Sequence, residues 1–383
     1  MHRLNRRGCL LLLLILAPLA QADNAATQTE PLPALFARTL GEAGIPGGAW
    51  AELRDGRIVR TGVHGVRRLG DDEPITADTV FRIASLSKTF AAQIGAMLVG
   101  EGKLGWDWPV SDLVPAFRLR RAGDTARLQL QHLLGQATGV VPNAYDNLLE
   151  DDVPLTRILP QFARLDPECP VGSCYTYQNI LFSLVQPAYE QASGQSYETL
   201  VAQRLFQPLD MVNASLGRQA FLDAHNRAWP HVRRSGGWQV GEVASGYYQV
   251  APAAGINASV TDMARWLLAQ MGSHPQVVSA GHVAELTRPR LATPRELRRR
   301  GWKDLLTDAH YGLGWRIYTL GDEELVMHSG WVRGFVAEMA YSPRRRHGLV
   351  VLLNGESQHI NDFTTAFWRR TLAVPAVAEA PAS

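Results

Sequence analysis

Strand-like segments lie towards both ends of this chain, and a long helical stretch separates them. Residues 106–254 contain mainly helical segments, separated by loops that hold Pro and Gly. Strands that are distant in sequence must meet in one sheet to bury their apolar faces. We therefore predict a discontinuous α/β domain formed by residues 33–105 and 255–372. Residues 106–254 are predicted to form an inserted all-helical domain, with a functional cleft between the two.

The individual elements follow from hydrophobic periodicity and from turn residues. A hairpin is predicted over 48–69 around Asp55-Gly56, and a helix rich in Ala, Leu and Met over 85–100. Further helices are predicted over 31–41, 128–134, 180–193, 197–206, 262–270 and 361–372, and further strands over 79–83, 311–319, 324–327, 334–341 and 348–353. The Ala- and Pro-rich residues 373–383 are predicted to form a flexible tail.

The N-terminus has the pattern of a secretory signal. Basic residues at positions 3, 6 and 7 precede the apolar run 10–20, and Ala20-Gln21-Ala22 forms a small-x-small cleavage site. We therefore expect residues 1–22 to be removed and the protein to be exported to the periplasm. The alternative is a membrane anchor, but the apolar run is shorter than the roughly 20 residues that span a bilayer. A stable membrane anchor is not expected.

The charges of the chain are nearly balanced. The sequence has 38 Lys and Arg against 36 Asp and Glu, a net charge of +2, and removal of the three arginines of the signal lowers it by 3 to −1. A near-neutral protein has no overall electrostatic attraction for nucleic acid or for an anionic membrane. We therefore expect no nucleic-acid partner, and we expect a monomer that binds a small-molecule substrate.

Two cysteines remain once Cys9 is removed with the signal. Cys169 and Cys174 would then lie in an oxidising compartment, and Pro170 and Gly172 between them are turn formers that allow a short loop to close. We predict a Cys169–Cys174 disulfide. The alternative is a pair of reduced thiols, while a zinc site would require more soft ligands than this stretch contains.

Ser85-Leu-Ser-Lys88 opens the predicted helix over 85–100. Residues three apart on a helix are neighbours, which places the Lys88 ammonium within reach of the Ser85 hydroxyl. A lysine whose pKa is lowered by burial can accept the serine proton, and a helix N-terminus stabilises a developing oxyanion. The alternative is an N-cap serine beside a solvated lysine, but the apolar residues on both sides favour burial.

Two shorter motifs follow along the chain. In Tyr177-Gln-Asn179, a tyrosine beside a lysine can act as a general base through its phenolate, and the asparagine amide can orient Lys88 or bind a substrate carbonyl. The alternative is a loop tyrosine that only packs its ring. In His328-Ser-Gly330, at the start of a predicted strand pair, the glycine allows the backbone of a substrate to approach closely.

In this order and together, the three motifs resemble those of the penicillin-recognising serine hydrolases, in the branch with Tyr-x-Asn as its second motif. That branch contains class C β-lactamases, D-alanyl-D-alanine carboxypeptidases and lactamase-like esterases. Supporting stretches such as Val80-Phe-Arg-Ile-Ala and Gly312-Leu-Gly-Trp are also similar, and the resemblance extends from about residue 33 to 372. It implies a β-lactamase/transpeptidase-like α/β fold, with an antiparallel sheet flanked by helices, and it implies no cofactor or metal.

The resemblance further implies a mechanism that passes through an acyl-enzyme. Ser85 would attack the carbonyl of a β-lactam or of a D-Ala-D-Ala-like peptide, and Lys88 and Tyr177 would handle its proton. The backbone N–H groups of Ser85 and Trp331 are expected to bind the oxyanion. The Asn179 amide is expected to bind a side-chain amide of the substrate. The residues expected to face a carboxylate of the substrate are His328, Ser329, Gly330 and Asn354.

Two stretches differ from the family pattern. Class C enzymes usually have Lys-Thr-Gly in place of His328-Ser-Gly330, and a neutral histidine lacks the fixed positive charge of lysine. Residues 134–139 replace a Thr-His-Thr-Ser-Gly-like run, which we interpret as local drift.

The sequence thus predicts a class C-like serine β-lactamase, with D-alanyl-D-alanine carboxypeptidase or carboxylesterase activity as the alternative. A non-catalytic cell-wall-binding module and a metal site at His328 are less favoured.

Overall fold

The computed structural model describes residues 30–372. The predicted signal peptide over 1–22 and the predicted tail over 373–383 lie outside the described residues. Within residues 30–372, no helix is long and apolar enough to cross a membrane.

An antiparallel sheet forms the centre of the fold. The strands are β1 (Gly47–Arg54), β2 (Arg57–Gly65), β3 (Phe81–Arg82), β4 (Ser215–Leu216), β5 (His231–Arg234), β6 (Gly237–Val240), β7 (Ile256–Ala258), β8 (Leu291–Ala292), β9 (Asp308–Tyr311), β10 (Arg316–Leu320), β11 (Glu323–Val332), β12 (Phe335–Ser342) and β13 (His347–Leu353). Eight of them form one sheet in the order β2-β1-β13-β12-β11-β10-β9-β8, and every neighbouring pair is antiparallel. The predicted antiparallel α/β fold is confirmed.

The helices are short except for four. They are α1 (Leu32–Ala43), α2 (Ser87–Gly100), α3 (Val110–Leu113), α4 (Ala122–Arg127), α5 (Leu130–Leu134), α6 (Asp146–Glu150), α7 (Leu155–Ile158), α8 (Val185–Ser193), α9 (Tyr197–Val201), α10 (Arg218–Asp223), α11 (Ala251–Ala254), α12 (Val260–Gln270), α13 (Ala280–Thr287) and α14 (Ile360–Leu372). A π-helical turn occupies Ala202–Phe206. Turns of 3₁₀ helix occupy Ala84–Leu86, Leu159–Arg164, Phe182–Leu184, Gly246–Val250 and Glu296–Arg298. The helices predicted over 85–100, 180–193 and 197–206 therefore each include a turn that is not α-helical.

The first hairpin has the turn that its sequence predicts. Asp55 and Gly56 connect β1 to β2, and both have positive φ angles, of 49° and 78°. Two consecutive residues with positive φ form a type I′ turn, whose twist matches that of the flanking strands. The predicted hairpin over 48–69 is confirmed, with its strands ending at Gly65.

Each face of the large sheet is covered by its own apolar layer. On one face, α1 and α14 pack against the strands, and Phe36 makes edge-to-face contacts with Trp50 and Phe363. On the other face, α12 lies on β1 and β13, and α2 packs against it through Phe90 and Trp266, whose rings stack 4.0 Å apart. Each such side chain contributes roughly 1.5–3 kcal/mol through burial, so both layers stabilise the sheet.

Residues 106–254 contain mostly helices, as predicted, together with the short strands β4, β5 and β6. The hairpin β5–β6 turns at Ser235-Gly236, and β4 pairs with β7 in a small separate sheet. The apolar cluster around α2 and α12 continues into this segment. The packing therefore crosses both predicted boundaries, and the division into two domains stays a prediction.

Candidate active site

Ser85 lies in a strained turn between β3 and α2. The turn covers Ala84–Leu86, so Ser85 precedes the α-helix instead of opening it. Ala84 has a φ of 50°, a left-handed conformation that is unfavourable for a residue with a Cβ. Strain of this kind persists only where the surrounding structure enforces it, and it occurs preferentially at functional sites.

Strand β11 packs directly against this turn at Gly330. A Cβ built at position 330 would lie 2.4 Å from the Ile83 carbonyl oxygen and 2.9 Å from the Ser85 backbone nitrogen. Only glycine fits at this distance. The contact brings the next residue, Trp331, beside Ser85, where the resemblance places the oxyanion hole.

Lys88 is fully buried beneath Ser85. Its Nζ lies 3.2 Å from the Ser85 Oγ, 2.7 Å from the Asn179 Oδ1 and 3.1 Å from the Ala253 carbonyl oxygen. Burial holds the pKa of Lys88 well below its usual 10.5, the charge of Asp146 opposes this, and the charge of Arg316 adds to it. A neutral amine has two N–H donors and one lone pair. In this neutral form, Asn179 and Ala253 would take the two N–H groups, because both present only acceptors, and the lone pair would face the Ser85 hydroxyl.

Asn179 has its orientation set by a carboxylate. Its Nδ2 donates to the Asp146 Oδ2 at 2.7 Å, which leaves Oδ1 facing Lys88. An ionised carboxylate only accepts hydrogen bonds, so the opposite orientation of the amide would lose this contact. Burial raises the pKa of Asp146, while the hydrogen bond from Asn179 and the charge of Lys88 lower it. Asn179 thus orients the lysine, one of the two roles predicted from the sequence.

Tyr177 packs against Lys88 and lines a cavity together with Ser85 and Asn179, which we call the catalytic cavity because it holds the candidate nucleophile. Its ring centroid is 4.8 Å from the Lys88 Nζ and 5.5 Å from the Arg316 guanidinium carbon. Burial raises the pKa of Tyr177 to about 12, although the charge of Arg316 and a hydrogen bond with Ser85 lower it. This direction is opposite to the accessible phenolate expected from the sequence, because the loss of hydration outweighs the nearby charges. At neutral pH, Tyr177 is therefore a phenol that can relay a proton, and the lowered pKa of Lys88 favours Lys88 as the group that accepts the proton.

The stretch 134–139, interpreted from sequence as drift, holds the loop of the second motif. Gln136 is fully buried, with a φ of 56°. Its Oε1 accepts from the Gln178 backbone N–H at 2.6 Å, and its Nε2 donates to the Gln178 carbonyl oxygen at 3.2 Å. Its own carbonyl oxygen accepts from the Thr176 N–H at 2.8 Å. These contacts fix the backbone on both sides of Tyr177, so the drift interpretation is wrong for Gln136.

The predicted disulfide joins Cys169 to Cys174. The loop that it closes hydrogen-bonds to the same stretch, because the Glu168 N–H donates to the Gly139 carbonyl oxygen and the Gly172 N–H donates to the Ala137 carbonyl oxygen, both at 2.8 Å. The bridge thus stiffens the loop immediately before Tyr177.

His328 is fully buried on β11 and does not line the catalytic cavity. Its Nδ1 donates to the Ser329 carbonyl oxygen at 2.8 Å, so the Nε2 of the neutral ring accepts from the Tyr311 hydroxyl at 3.1 Å. Burial holds the pKa of His328 well below its usual value, and the charge of Arg316 adds to this effect. The structure places Ser329, not His328, at the cavity.

Asn354 lies away from the catalytic cavity, fully buried. Its Nδ2 donates to the carbonyl oxygens of Val66 and Arg67, at 3.0 and 3.1 Å, and its backbone carbonyl oxygen accepts from the His231 Nδ1 at 2.7 Å. These contacts tie the end of β13 to the segment after β2. The structure does not bring Asn354 to the carboxylate side of the cavity.

The catalytic cavity has a volume of about 610 Å³ and is polar. Of the residues predicted from sequence, it is lined by Ser85, Tyr177, Asn179, Ser329, Gly330 and Trp331. It is also lined by six charged residues that the sequence analysis missed, namely Asp146, Glu150, Arg295, Glu296, Arg299 and Arg316. The Arg316 Nη1 lies 2.6 Å from the Glu296 Oε1. Arg316 directly follows the Gly312-Leu-Gly-Trp stretch and lies within the strand predicted over 311–319, but neither signal indicated that its side chain faces the cavity. Within residues 30–372, no group of three His, Cys, Asp or Glu residues could hold a metal ion.

The profile of the Beta-lactamase family matches residues 32–371, which is nearly all of the described chain. The chain belongs to the Beta-lactamase family. A solved structure of the octameric penicillin-binding protein homologue from Pyrococcus abyssi has a similar fold, with a TM-score of 0.79 and 24% sequence identity. The similarity covers 91% of this chain and 78% of that chain.

Relatives in this family have different names and low identity to the chain. Unguisins hydrolase ungD' of Aspergillus campestris (strain IBT 28561) is 25% identical over 345 residues, which are 85% of this chain and 62% of that protein. Protein flp of Staphylococcus aureus (strain NCTC 8325 / PS 47) is 21% identical over 335 residues, which are 86% of this chain and 64% of that protein. The chain spans less than two thirds of these relatives. The names of these relatives do not single out a class C β-lactamase.

Proposed function

We propose that this protein hydrolyses β-lactams through an acyl-enzyme on Ser85. The observation that carries the proposal is the buried Lys88, whose Nζ lies 3.2 Å from the Ser85 Oγ and whose pKa is lowered by burial. A serine hydroxyl becomes an effective nucleophile when a positioned base accepts its proton. Burial of Lys88 lowers the stability of the fold, because it disfavours the charged lysine. A buried lysine beside a serine hydroxyl therefore favours a catalytic role over a structural one.

In the acylation step, the Ser85 Oγ forms a bond to the carbonyl carbon and its proton passes to Lys88. The oxyanion lies between the backbone N–H groups of Ser85 and Trp331, and one such donor typically contributes about 3 kcal/mol. The proton then passes through the Tyr177 hydroxyl to the leaving nitrogen as the C–N bond breaks. In deacylation, the water oxygen bonds to the acyl carbon as the water proton passes to Lys88, and that proton is then delivered to the Ser85 Oγ as the bond between the Oγ and the acyl carbon breaks.

Peptide or ester hydrolysis by the same mechanism is the second candidate function. The neutral, buried His328 favours it, because no cationic side chain stands at the position where class C enzymes usually carry lysine. A substrate without a carboxylate next to the scissile bond would lose little from this difference. Two of the relatives are named unguisins hydrolases, and neither name refers to a β-lactam.

The test is turnover of a chromogenic cephalosporin, a D-Ala-D-Ala peptide and a short-chain ester, with labelling by a fluorescent penicillin. Ser85→Ala should abolish both turnover and labelling, and the matched variant Ser111→Ala should retain them. The Ser87 Oγ donates to the Ala84 carbonyl oxygen and accepts from the Ile256 N–H, so it is not free to attack. A label mapped to Ser87 would overturn the assignment of Ser85. A folded wild type that turns over none of the three would favour the non-catalytic cell-wall-binding module.

We also propose export to the periplasm and a monomeric state. The support for export is the signal-like pattern over residues 1–22 and the disulfide between Cys169 and Cys174. The test is N-terminal sequencing of the protein from the periplasmic fraction, with light scattering for its mass. An intact N-terminus in the cytosol, or an oligomeric mass, would contradict the respective proposal.

A further inference from the structure

A second cavity of about 520 Å³ adjoins the catalytic cavity and carries excess positive charge. Glu150, Tyr247 and Trp331 line both cavities. The charged residues of the second cavity are Arg82, Arg233, Arg234 and Arg333, opposed by Glu150 and Glu356. We call it the arginine cavity. Four guanidinium groups against two carboxylates make it suited to an anionic group.

Arg82 is the buried member of this set. It is 1% exposed, and its guanidinium carbon lies 4.0 Å from the centroid of the Tyr248 ring. Its Nη1 donates to the Ala244 carbonyl oxygen at 3.1 Å, whereas its Nε and Nη2 have no hydrogen-bond partner among residues 30–372. No ion pair joins Arg82 to a carboxylate of this part of the chain. A buried charge in a folded protein normally has a counter-ion, so this guanidinium has unused capacity to bind one.

The unused atoms of Arg82 specify the ligand chemistry. Nε and Nη2 form one edge of the planar guanidinium, and their two N–H groups match the two oxygens of a carboxylate. Glu356 does not fill this place, because its carboxylate accepts from the Trp331 Nε1 at 3.0 Å and from the Gly334 N–H at 2.7 Å. A second arginine, Arg218, lies close enough for its charge to oppose that of Arg82.

The arginine cavity lies along a path from the nucleophile. Arg82 precedes Ser85 by three residues, and Trp331 follows Gly330, which contacts the Ser85 turn. The Trp331 side chain is 42% exposed and borders both cavities. We propose that the arginine cavity is a substrate subsite for a carboxylate remote from the scissile carbonyl, bound by Arg82 when the substrate lies across Trp331. This proposal rests on the proposed acyl-enzyme function.

The experiment compares 4-nitrophenyl esters of adipic, pimelic and suberic acid that carry a free ω-carboxylate with the same esters capped as ω-methyl esters. The readout is the ratio of kcat/KM within each pair, so a general loss of activity cancels. The wild type should prefer the carboxylate by about tenfold or more, the scale of a hydrogen bond to a charged group. Arg82→Gln should remove this preference. No preference at any chain length would overturn the proposal.

Variants at the cavity rim keep the test decisive if Arg82→Gln does not fold. Arg234 and Arg333 are exposed. The double variant Arg234→Gln/Arg333→Gln should lower the ratio and reduce its dependence on salt, since exposed charges act through screened attraction. The matched control Arg57→Gln, on exposed β2, should leave the ratio unchanged. An unchanged ratio in the folded rim variant, or an equal loss in the control, would overturn the proposal.

Failure of the proposed function is separable from failure of the subsite. If the wild type hydrolyses none of the esters, the acyl-enzyme proposal fails, and calorimetric titration with monomethyl adipate and with its amide decides the subsite. Binding of the acid alone supports it, and binding of neither overturns it. N-acetyl-D-Ala-D-Ala and its C-terminal amide extend the comparison to a carboxylate on the leaving side. That carboxylate lies next to the scissile bond, so an Arg82-dependent preference there would contradict a subsite for a remote carboxylate.

Discussion

Replacing Gly330 with alanine should displace strand β11 from the nucleophile. The added Cβ would lie 2.4 Å from the Ile83 carbonyl oxygen, 2.9 Å from the Ser85 nitrogen and 3.0 Å from the Ala84 Cβ. These are backbone atoms or a Cβ, which cannot rotate away as the end of a long side chain can. The strand or the turn must therefore move.

The size of the displacement follows from these distances. A comfortable contact between carbon and a carbonyl oxygen is about 3.3 Å, so the 2.4 Å contact must open by about 0.9 Å. A misplacement of about 1 Å in an active site can lower the rate about 10²-fold. We expect Gly330→Ala to lower kcat/KM by about 10²-fold and the free energy of unfolding by about 1–3 kcal/mol, the usual effect of overpacking.

The matched control is Gly348→Ala on β13 of the same sheet. Its Cβ would meet the Leu267 Cδ2 at 3.1 Å and the Met271 Sδ at 3.2 Å, both of them ends of flexible side chains. It should cost some stability with little change in activity. Both variants are measured by denaturant unfolding and by initial rates on the best substrate found. A folded Gly330→Ala enzyme with the wild-type kcat/KM would refute the argument that this close approach aligns Ser85 with β11.

Three further predictions concern the proton path and its support. Tyr177→Phe should lower turnover by about 10²-fold without unfolding the protein, because only the hydroxyl is lost, and a wild-type rate would show that the phenol only packs. The kcat/KM of the wild type should fall as pH is lowered through the depressed pKa of Lys88, because protonation removes its lone pair; an acid limb near 10.5 in the pH–rate profile would contradict the burial effect. Replacing Cys169 and Cys174 with serine should lower the free energy of unfolding by about 2 kcal/mol in denaturant titrations. Two free thiols in the unreduced wild type, found by mass spectrometry, would remove that prediction.

The strand pattern, the turn residues and the short motifs were readable from the sequence because each depends on neighbouring residues. Asp55-Gly56 prefers the φ angles of a type I′ turn, and the prediction of the hairpin was confirmed. Serine and lysine three residues apart lie on one side of the chain through local geometry, and the Nζ–Oγ contact of 3.2 Å follows. Cys169 and Cys174 are five residues apart with turn formers between them, which allowed their disulfide to be predicted.

The chemical state of the site depended on contacts between distant parts of the chain. The pKa values of Lys88 and Tyr177 are set mainly by burial, which only the assembled fold creates, and for Tyr177 its direction was opposite to the expectation from sequence. Asp146 and Arg316 belong to no short motif, and they reach the site through α6 and β10, far apart in the sequence. The sequence by itself predicted the antiparallel sheet and the disulfide, because local propensity and spacing specify them, while the assignment of Ser85 as the nucleophile stays a prediction. The tertiary structure alone decided which groups are neutral, which face the cavity and which are structural, because desolvation and long-range packing have no signature in a short stretch of residues.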